Sequence, residues 1–223
     1  MLELKDVRKR YGRKDPWILS GVDLTLKPGE GCVIRGRSGS GKTTLLHLIS
    51  GLEPLNGGAV SFNGHDISSL SSKDKAQFRN QHVGFCFQHG SVISYLTVLE
   101  NIILPLLFRE IPLKEARRKG EEMLERLNLS NFADERPEVL SGGQLQRLDL
   151  GRALIGNPDI ILADEPTGNL DRETAEEMIN LILQYHRELN ACLLLVTHDI
   201  VPPEPELISY TLKGGKLFPD NLS

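Results

Sequence analysis

The sequence predicts an α/β protein, a largely parallel sheet flanked by helices with a helical subdomain in the middle of the chain. Three observations carry this. Uninterrupted apolar runs at Cys32–Ile34, Ile160–Ala163 and Cys192–Val196 have the length and composition of strands buried on both faces. The first two give way to helical spacing, at Leu45, Leu46, Leu48, Ile49 and Leu52 and again over 172–190, and strands alternating with helices imply parallel pairing. Between them, residues 90–155 are dominated by helical patterns.

Taken in order, Leu2–Val7 and Ile18–Leu26 alternate as half-buried strands before the run at Cys32. A glycine-rich turn then opens a helix at Gly41 that Pro54 and Gly57-Gly58 stop. Val83–Phe87 is strand-like. Helical patterns follow at Leu96–Leu107, at Leu113–Leu129 with many Lys, Arg and Glu, and at Gln144–Ile155. After the strands at Ile160 and Cys192, Tyr210–Phe218 forms a hairpin candidate around Gly214-Gly215.

Composition excludes several classes. The 223 residues suffice for a substantial core, and 39% hydrophobic with 25% charged residues is ordinary for a globular chain rather than a disordered or fibrous one. No apolar run approaches the roughly 20 residues of a bilayer span. Met1 leads straight into an alternating segment, so no export signal is expected. Cys32, Cys86 and Cys192 sit singly in strand-like contexts, which suits buried reduced thiols and neither disulfides nor zinc. A net charge of −4 exerts no general pull on nucleic acid, and no nucleic-acid partner is expected.

Gly36-Arg37-Ser38-Gly39-Ser40-Gly41-Lys42-Thr43 matches G-x-x-x-x-G-K-[ST] between a strand and a helix, the pattern of a P-loop NTPase. The glycines let successive backbone N–H groups wrap a polyphosphate at the positive end of the helix. Lys42 is expected at the β- and γ-phosphates, and Thr43 on Mg2+, with Thr44 continuing the helix. Kinases, GTPases and transport ATPases share this loop, so the class has to come from elsewhere.

The strand Ile160–Ala163 ends in Asp164 and Glu165. A parallel strand delivers its last residues to the carboxyl edge, where ligands of such sheets bind. Asp164 is therefore assigned to the metal shell. Glu165 is assigned as the general base that takes a proton from the attacking water.

Leu140-Ser141-Gly142-Gly143-Gln144 lies just before a helical pattern and 20 residues, counted from Gln144, ahead of Asp164. With it the chain resembles the ABC ATPase family along nearly its whole length: cradle, Gln88 after Val83–Phe87, signature, acidic strand, Asp171, and His198 after Leu193–Thr197. The Ser141 hydroxyl and the open backbone of Gly142 and Gly143 suit a phosphate oxygen. The resemblance implies a P-loop, ABC-type core with an N-terminal antiparallel β part, within one ATPase domain spanning 1–223. In that division 1–89 and 156–223 form the catalytic α/β core, and 90–155 form the helical subdomain that bears the signature.

It further implies that Ser141, Gly142, Gly143 and Gln144 meet the ATP held by Gly36, Ser38, Gly39, Ser40, Gly41, Lys42, Thr43 and Thr44 of a second copy, in a head-to-tail ATP sandwich. Gln88 would sense metal and attacking water, His198 would contact the γ-phosphate, and Asp171 would pass across the dimer interface. Tyr11 would stack on adenine, although an aromatic near a strand end equally serves packing.

Asn80–Gln88, Leu96–Asn101, Arg136-Pro137 and Ala163–Asp171 look most like the LolD/MacB/FtsE subgroup, whose members sit on the cytoplasmic face of the bacterial inner membrane. This implies a peripheral ATPase docked on a separate membrane subunit near residues 88–101, beside Val92, Ile93, Tyr95 and Leu96, and powering lipoprotein release, export or mechanotransmission. A non-transport ABC ATPase and a regulatory FtsE-like module are the alternatives. Two stretches depart from the pattern. Leu148-Asp149-Leu150-Gly151-Arg152 replaces an alanine-rich helical stretch, and Pro202, Pro203 and Pro205 forbid the helix expected after His198.

Overall fold

The computed structural model describes residues 1–87, 92–168 and 170–220. Its elements are β1 (Leu2–Lys9), β2 (Leu19–Leu26), β3 (Gly31–Arg35), α1 (Lys42–Ile49), β4 (Gly57–Phe62), β5 (His65–Asp66), α2 (Ser72–His82) and β6 (Val83–Cys86). Then come α3 (Val98–Leu107), α4 (Leu113–Arg126), α5 (Gly142–Leu154), β7 (Ile160–Asp164), α6 (Arg172–Leu189), β8 (Cys192–Val196), β9 (Leu207–Lys213) and β10 (Lys216–Pro219).

Two sheets result. An antiparallel sheet has the order β2-β1-β4-β5, and the larger sheet the order β10-β9-β3-β8-β7-β6, parallel from β9 to β6 with β10 antiparallel at its edge. The continuous apolar runs are explained by burial on both faces of the larger sheet. Ile160 and Leu162 of β7 point into a cluster shared with β1, β2 and α1, while Ile161 and Ala163 point into one shared with α3, α5 and α6.

Three elements carry no clear signal in the sequence. Gly57-Gly58, which reads as a stop, begins β4, because Gly58 at φ +78° passes so close to the strand β1 that a Cβ would lie 2.2 Å from the Asp6 carbonyl. The short β5 pairs with β4 through only two residues. Helix α2 buries only Phe78, so it has no apolar stripe to read; its start is made by Ser71, which accepts from the Asp74 N–H. Helix α1 is shorter than its sequence pattern. It ends at Ile49, and Leu52 lies 44% exposed beyond it.

Two of the middle helices, α3 and α5, start where capping chemistry places them. Thr97 and Glu100 form a capping box at α3, and Ser141 and Gln144 form one at α5. Close packing accounts for Gly151 in the interior of α5, since a Cβ there would lie 2.3 Å from Leu127 and 2.7 Å from Ile102. Residues 201–204 form no helix, as the prolines require, and Arg187 of α6 holds the stretch through a 2.7 Å ion pair with Glu204.

Candidate functional site

Parallel register gathers the site. Ile34 lies opposite Val196, Asp164 opposite the same Val196, and Cys86 opposite Ala163, so β3, β8, β7 and β6 end along one edge of the sheet. Ligands of open α/β sheets bind there. The turn 36–41 leaves β3 at this edge and enters α1. Gly39 at φ +73° and Gly41 at φ +103° occupy the left-handed region, and a Cβ on Gly41 would lie 2.7 Å from the Ile18 side chain.

Lys42 is only 6% exposed, and its Nζ donates to the carbonyls of Gly36 at 2.9 Å and Arg37 at 3.3 Å. This arches the turn over the start of α1, whose N-terminus has no side-chain cap. The buried Ser40 hydroxyl has no partner among the described residues. Uncapped N–H groups, an orphaned hydroxyl and a buried ammonium in one turn are donors that a polyphosphate satisfies.

On the neighbouring strand, Asp164 is buried and accepts a side-chain hydrogen bond from Thr43. Burial raises its pKa, opposed by that hydrogen bond, with the nearby Glu165 adding to the rise. Two oxygens so placed suit a hard cation such as Mg2+, which takes its remaining ligands from phosphate and water.

Glu165 follows at φ +44°, an uncommon conformation for a residue with a side chain, held by its N–H on the Val196 carbonyl and its carbonyl on the Gly168 N–H. Its Oε1 stands 3.9 Å from Lys42 Nζ and 3.2 Å from His198 Nε2. One carboxylate oxygen thus links the cradle lysine to the histidine beyond β8.

Tyr11, Ile18, Ser38, Gly39, Gly41, Lys42, Thr43, Thr44, Glu165 and His198 line a cleft of about 420 Å3. Tyr11 is 62% exposed at its mouth, with its hydroxyl 3.2 Å from Glu53 and 3.4 Å from Thr44. Its ring is therefore presented to the cleft rather than packed in the core.

The signature lies elsewhere. None of Ser141, Gly142, Gly143 and Gln144 lines this cleft. Gln144 Oε1 accepts from the Ser141 N–H at 2.8 Å and Ser141 Oγ accepts from the Gln144 N–H, while a Cβ on Gly142 would meet no atom within 4 Å. Asp171 caps α6, accepting from the Thr174 N–H and hydroxyl, and these bonds, the hydroxyl's first, hold its carboxyl below the usual range. Gln88 lies outside the described residues, as does Asn169.

Beside the segment expected to dock a partner, Gln77, Phe85, Phe87, Leu104, Phe108 and Arg109 help to line a groove of about 650 Å3. Val92, Ile93, Tyr95 and Leu96 are not in its wall. Tyr95 is 74% exposed, Val92 packs on the core, and Asn101 braces the turn by accepting from the Ile93 N–H and donating to the Ile93 and Thr97 carbonyls. The groove is thus displaced toward α2 and α3 from the residues that the sequence points to.

Sequence reasoning missed two supports. Asp199 accepts from Thr167 and, at 3.3 Å, from Thr197, tying the loop after β7 to the loop after β8 and steadying His198 where the helix is missing. Glu53 joins Lys9 at 3.0 Å and His47 at 3.2 Å beneath Tyr11. Both are contacts between distant segments, and only the adjacency of Asp199 to His198 hinted at the first.

Comparison with known proteins agrees with this geometry. The family model described as ABC transporter matches residues 19–168. The bacitracin export ATP-binding protein BceA of Halalkalibacterium halodurans is 41% identical over 98% of this chain and 87% of its own length. The lipoprotein-releasing system ATP-binding protein LolD of Hydrogenovibrio crunogenus is 40% identical over 90% of this chain and 88% of its own. The ATP-binding cassette MJ0796, solved as a dimer in a post-hydrolysis state with ADP and Pi, superposes with a TM-score of 0.88 at 35% identity, covering 100% of this chain and 99% of that one. A phosphate cradle, an acidic strand end and a signature helix, in a fold shared along the whole chain, place this protein in the ABC transporter family, among its ATP-hydrolysing subunits of the LolD-like group.

Proposed function

We propose that this chain binds and hydrolyses ATP in composite sites formed by two copies arranged head to tail, and so drives a separate membrane subunit. One observation carries the reading: the cleft holds the cradle, Glu165 and His198 but no signature residue. The signature presents open backbone at Gly142. A second copy supplies the missing donors.

In this reading Tyr11 stacks on adenine, and Gly36 through Thr44 hold the phosphates. Ser141, Gly142, Gly143 and Gln144 of the second copy close over the γ-phosphate. Glu165 takes the proton of the attacking water, oriented by His198, whose Nε2 already lies 3.2 Å from its carboxylate. Thr43, Asp164 and Gln88 would hold Mg2+, which would supply charge neutralisation to the phosphates. Asp171, besides capping α6, lies at the interface between copies.

The chain is organised as one ABC ATPase domain, with 1–89 and 156–223 as its catalytic core and 90–155 as its helical subdomain. The membrane subunit docks beside residues 88–101, in the groove under Phe108 and Leu104, on the cytoplasmic face of the inner membrane. No helix among the described residues is long and apolar enough to cross a membrane, in keeping with a separate spanning partner. The names of BceA and LolD point to export or lipoprotein release as the work done.

Glu165→Gln tests the mechanism. It keeps the shape of the side chain and removes the base, so ATP binding persists, an ATP-bound dimer accumulates on size exclusion, and turnover falls by about 10²–10⁴. Wild-type turnover in this variant would remove Glu165 from the role of base, and a monomer that hydrolyses ATP at full rate would remove the composite site.

A further inference from the structure

The departure from the family pattern at Leu148–Arg152 contains, beside the glycine already explained, a carboxylate in the helix interior. Asp149 is 1% exposed, and burying a charge costs heavily unless donors meet it. Here Oδ2 accepts from the backbone N–H of Phe87 at 3.2 Å and from the Cys86 thiol at 3.5 Å, while Oδ1 lies 3.3 Å from the Arg152 guanidinium. Cys86 ends β6, and Phe87 is the residue directly before Gln88.

We propose that Asp149 is a positioning residue for ATP hydrolysis, its buried carboxylate clamping the middle of the signature helix to the carboxyl end of β6. The inference rests on the role proposed above for Gln88. Two arms leave the clamp. Along α5, eight residues or about 12 Å of helix lead back to Ser141. Along the backbone, Phe87 leads directly to Gln88.

A third connection reaches outward, because Phe87 and Arg152, both bonded to Asp149, line the proposed docking groove. A partner segment seated there bears on the signature helix and on the strand that feeds the ATP site through one carboxylate. A carboxylate serving only to balance Arg152 would need no bond to the backbone of another element. That bond distinguishes a clamp from a counter-ion.

The test is steady-state ATP hydrolysis by the purified chain, with melting temperatures, for Asp149→Ala, Asp149→Asn, Gln88→Ala and the Asp149→Ala/Gln88→Ala double variant. Asp149→Ala is expected to lower kcat by about tenfold with KM for ATP held within about twofold. Asp149→Asn keeps an acceptor for the Phe87 N–H and recovers most of the loss. The double variant loses less than the product of the two single losses, because one arm of the clamp acts through Gln88.

A fall in melting temperature at unchanged kcat, or losses that multiply in the double variant, would overturn the clamp. Should the alanine variant not fold, Asp149→Leu fills the same space and carries the same expectations. Wild-type turnover in Gln88→Ala overturns the proposed role of Gln88, and the backbone arm of the clamp with it. Slow Gln88→Ala beside normal Asp149→Ala overturns the clamp alone.

Discussion

The cradle at 36–43 and the signature at 140–144 are built alike, each a glycine-bearing turn entering a helix, yet their hydrogen bonding differs. At the cradle, α1 starts without a side-chain cap, the Ser40 hydroxyl has no partner among the described residues, and Lys42 is buried against two carbonyls. At the signature, Ser141 and Gln144 cap one another, and the turn faces open space at Gly142. The first surface is short of acceptors and lines a cleft of its own chain. The second is locally satisfied and open. A hydroxyl that accepts from the Gln144 N–H still has its proton to give, so Ser141 remains able to donate to a phosphate brought to it. In the proposed function, similar local motifs become a binding site in one place and the lid of another copy's site in the other.

Variants separate the two surfaces. Lys42→Ala should produce the largest effect on binding. Hydrogen bonds to charged groups contribute about 1.5–3 kcal/mol, and nucleotide titration of the isolated chain should show affinity lower by about 10- to 100-fold. Near-normal affinity would mean that the cradle is not the phosphate site.

Ser141→Ala should leave ATP affinity of the monomer within about twofold while turnover drops about tenfold. It also removes the cap of α5, for about 1 kcal/mol of stability, so melting curves belong beside the kinetics. Loss of monomer affinity in this variant would place the signature in its own chain's site and break the contrast. Smallest is Tyr11→Ala, expected to weaken ATP by about two- to tenfold as ring stacking is lost. If ATP and a base-free polyphosphate were affected equally, stacking would not be the cause.

Legibility followed the reach of the interactions. β3, β7 and β8 could be read because burial on both faces demands uninterrupted apolar runs, and β9 with β10 because two glycines mark their turn. Helix α2 could not, since it buries one side chain, and neither could β4, whose Gly58 is required by close passage over Asp6 rather than by a helix end. Among the candidate site residues, Lys42, Thr43, Asp164, Glu165 and His198 were legible as motifs at strand ends. The supports Asp199 and Glu53 were not, being held by residues distant in the chain.

The order of motifs along the chain, with the glycines and caps that each turn needs, is local chemistry, and the sequence alone determined it along with family and fold class. Tertiary structure decided which motifs meet. Parallel register put the ends of β3, β7 and β8 on one edge, so that Glu165 reaches both Lys42 and His198, and it left the signature outside that cleft. It also turned an odd aspartate in α5 into a link between helix and strand, since a buried carboxylate is stable only where donors from other segments converge on it.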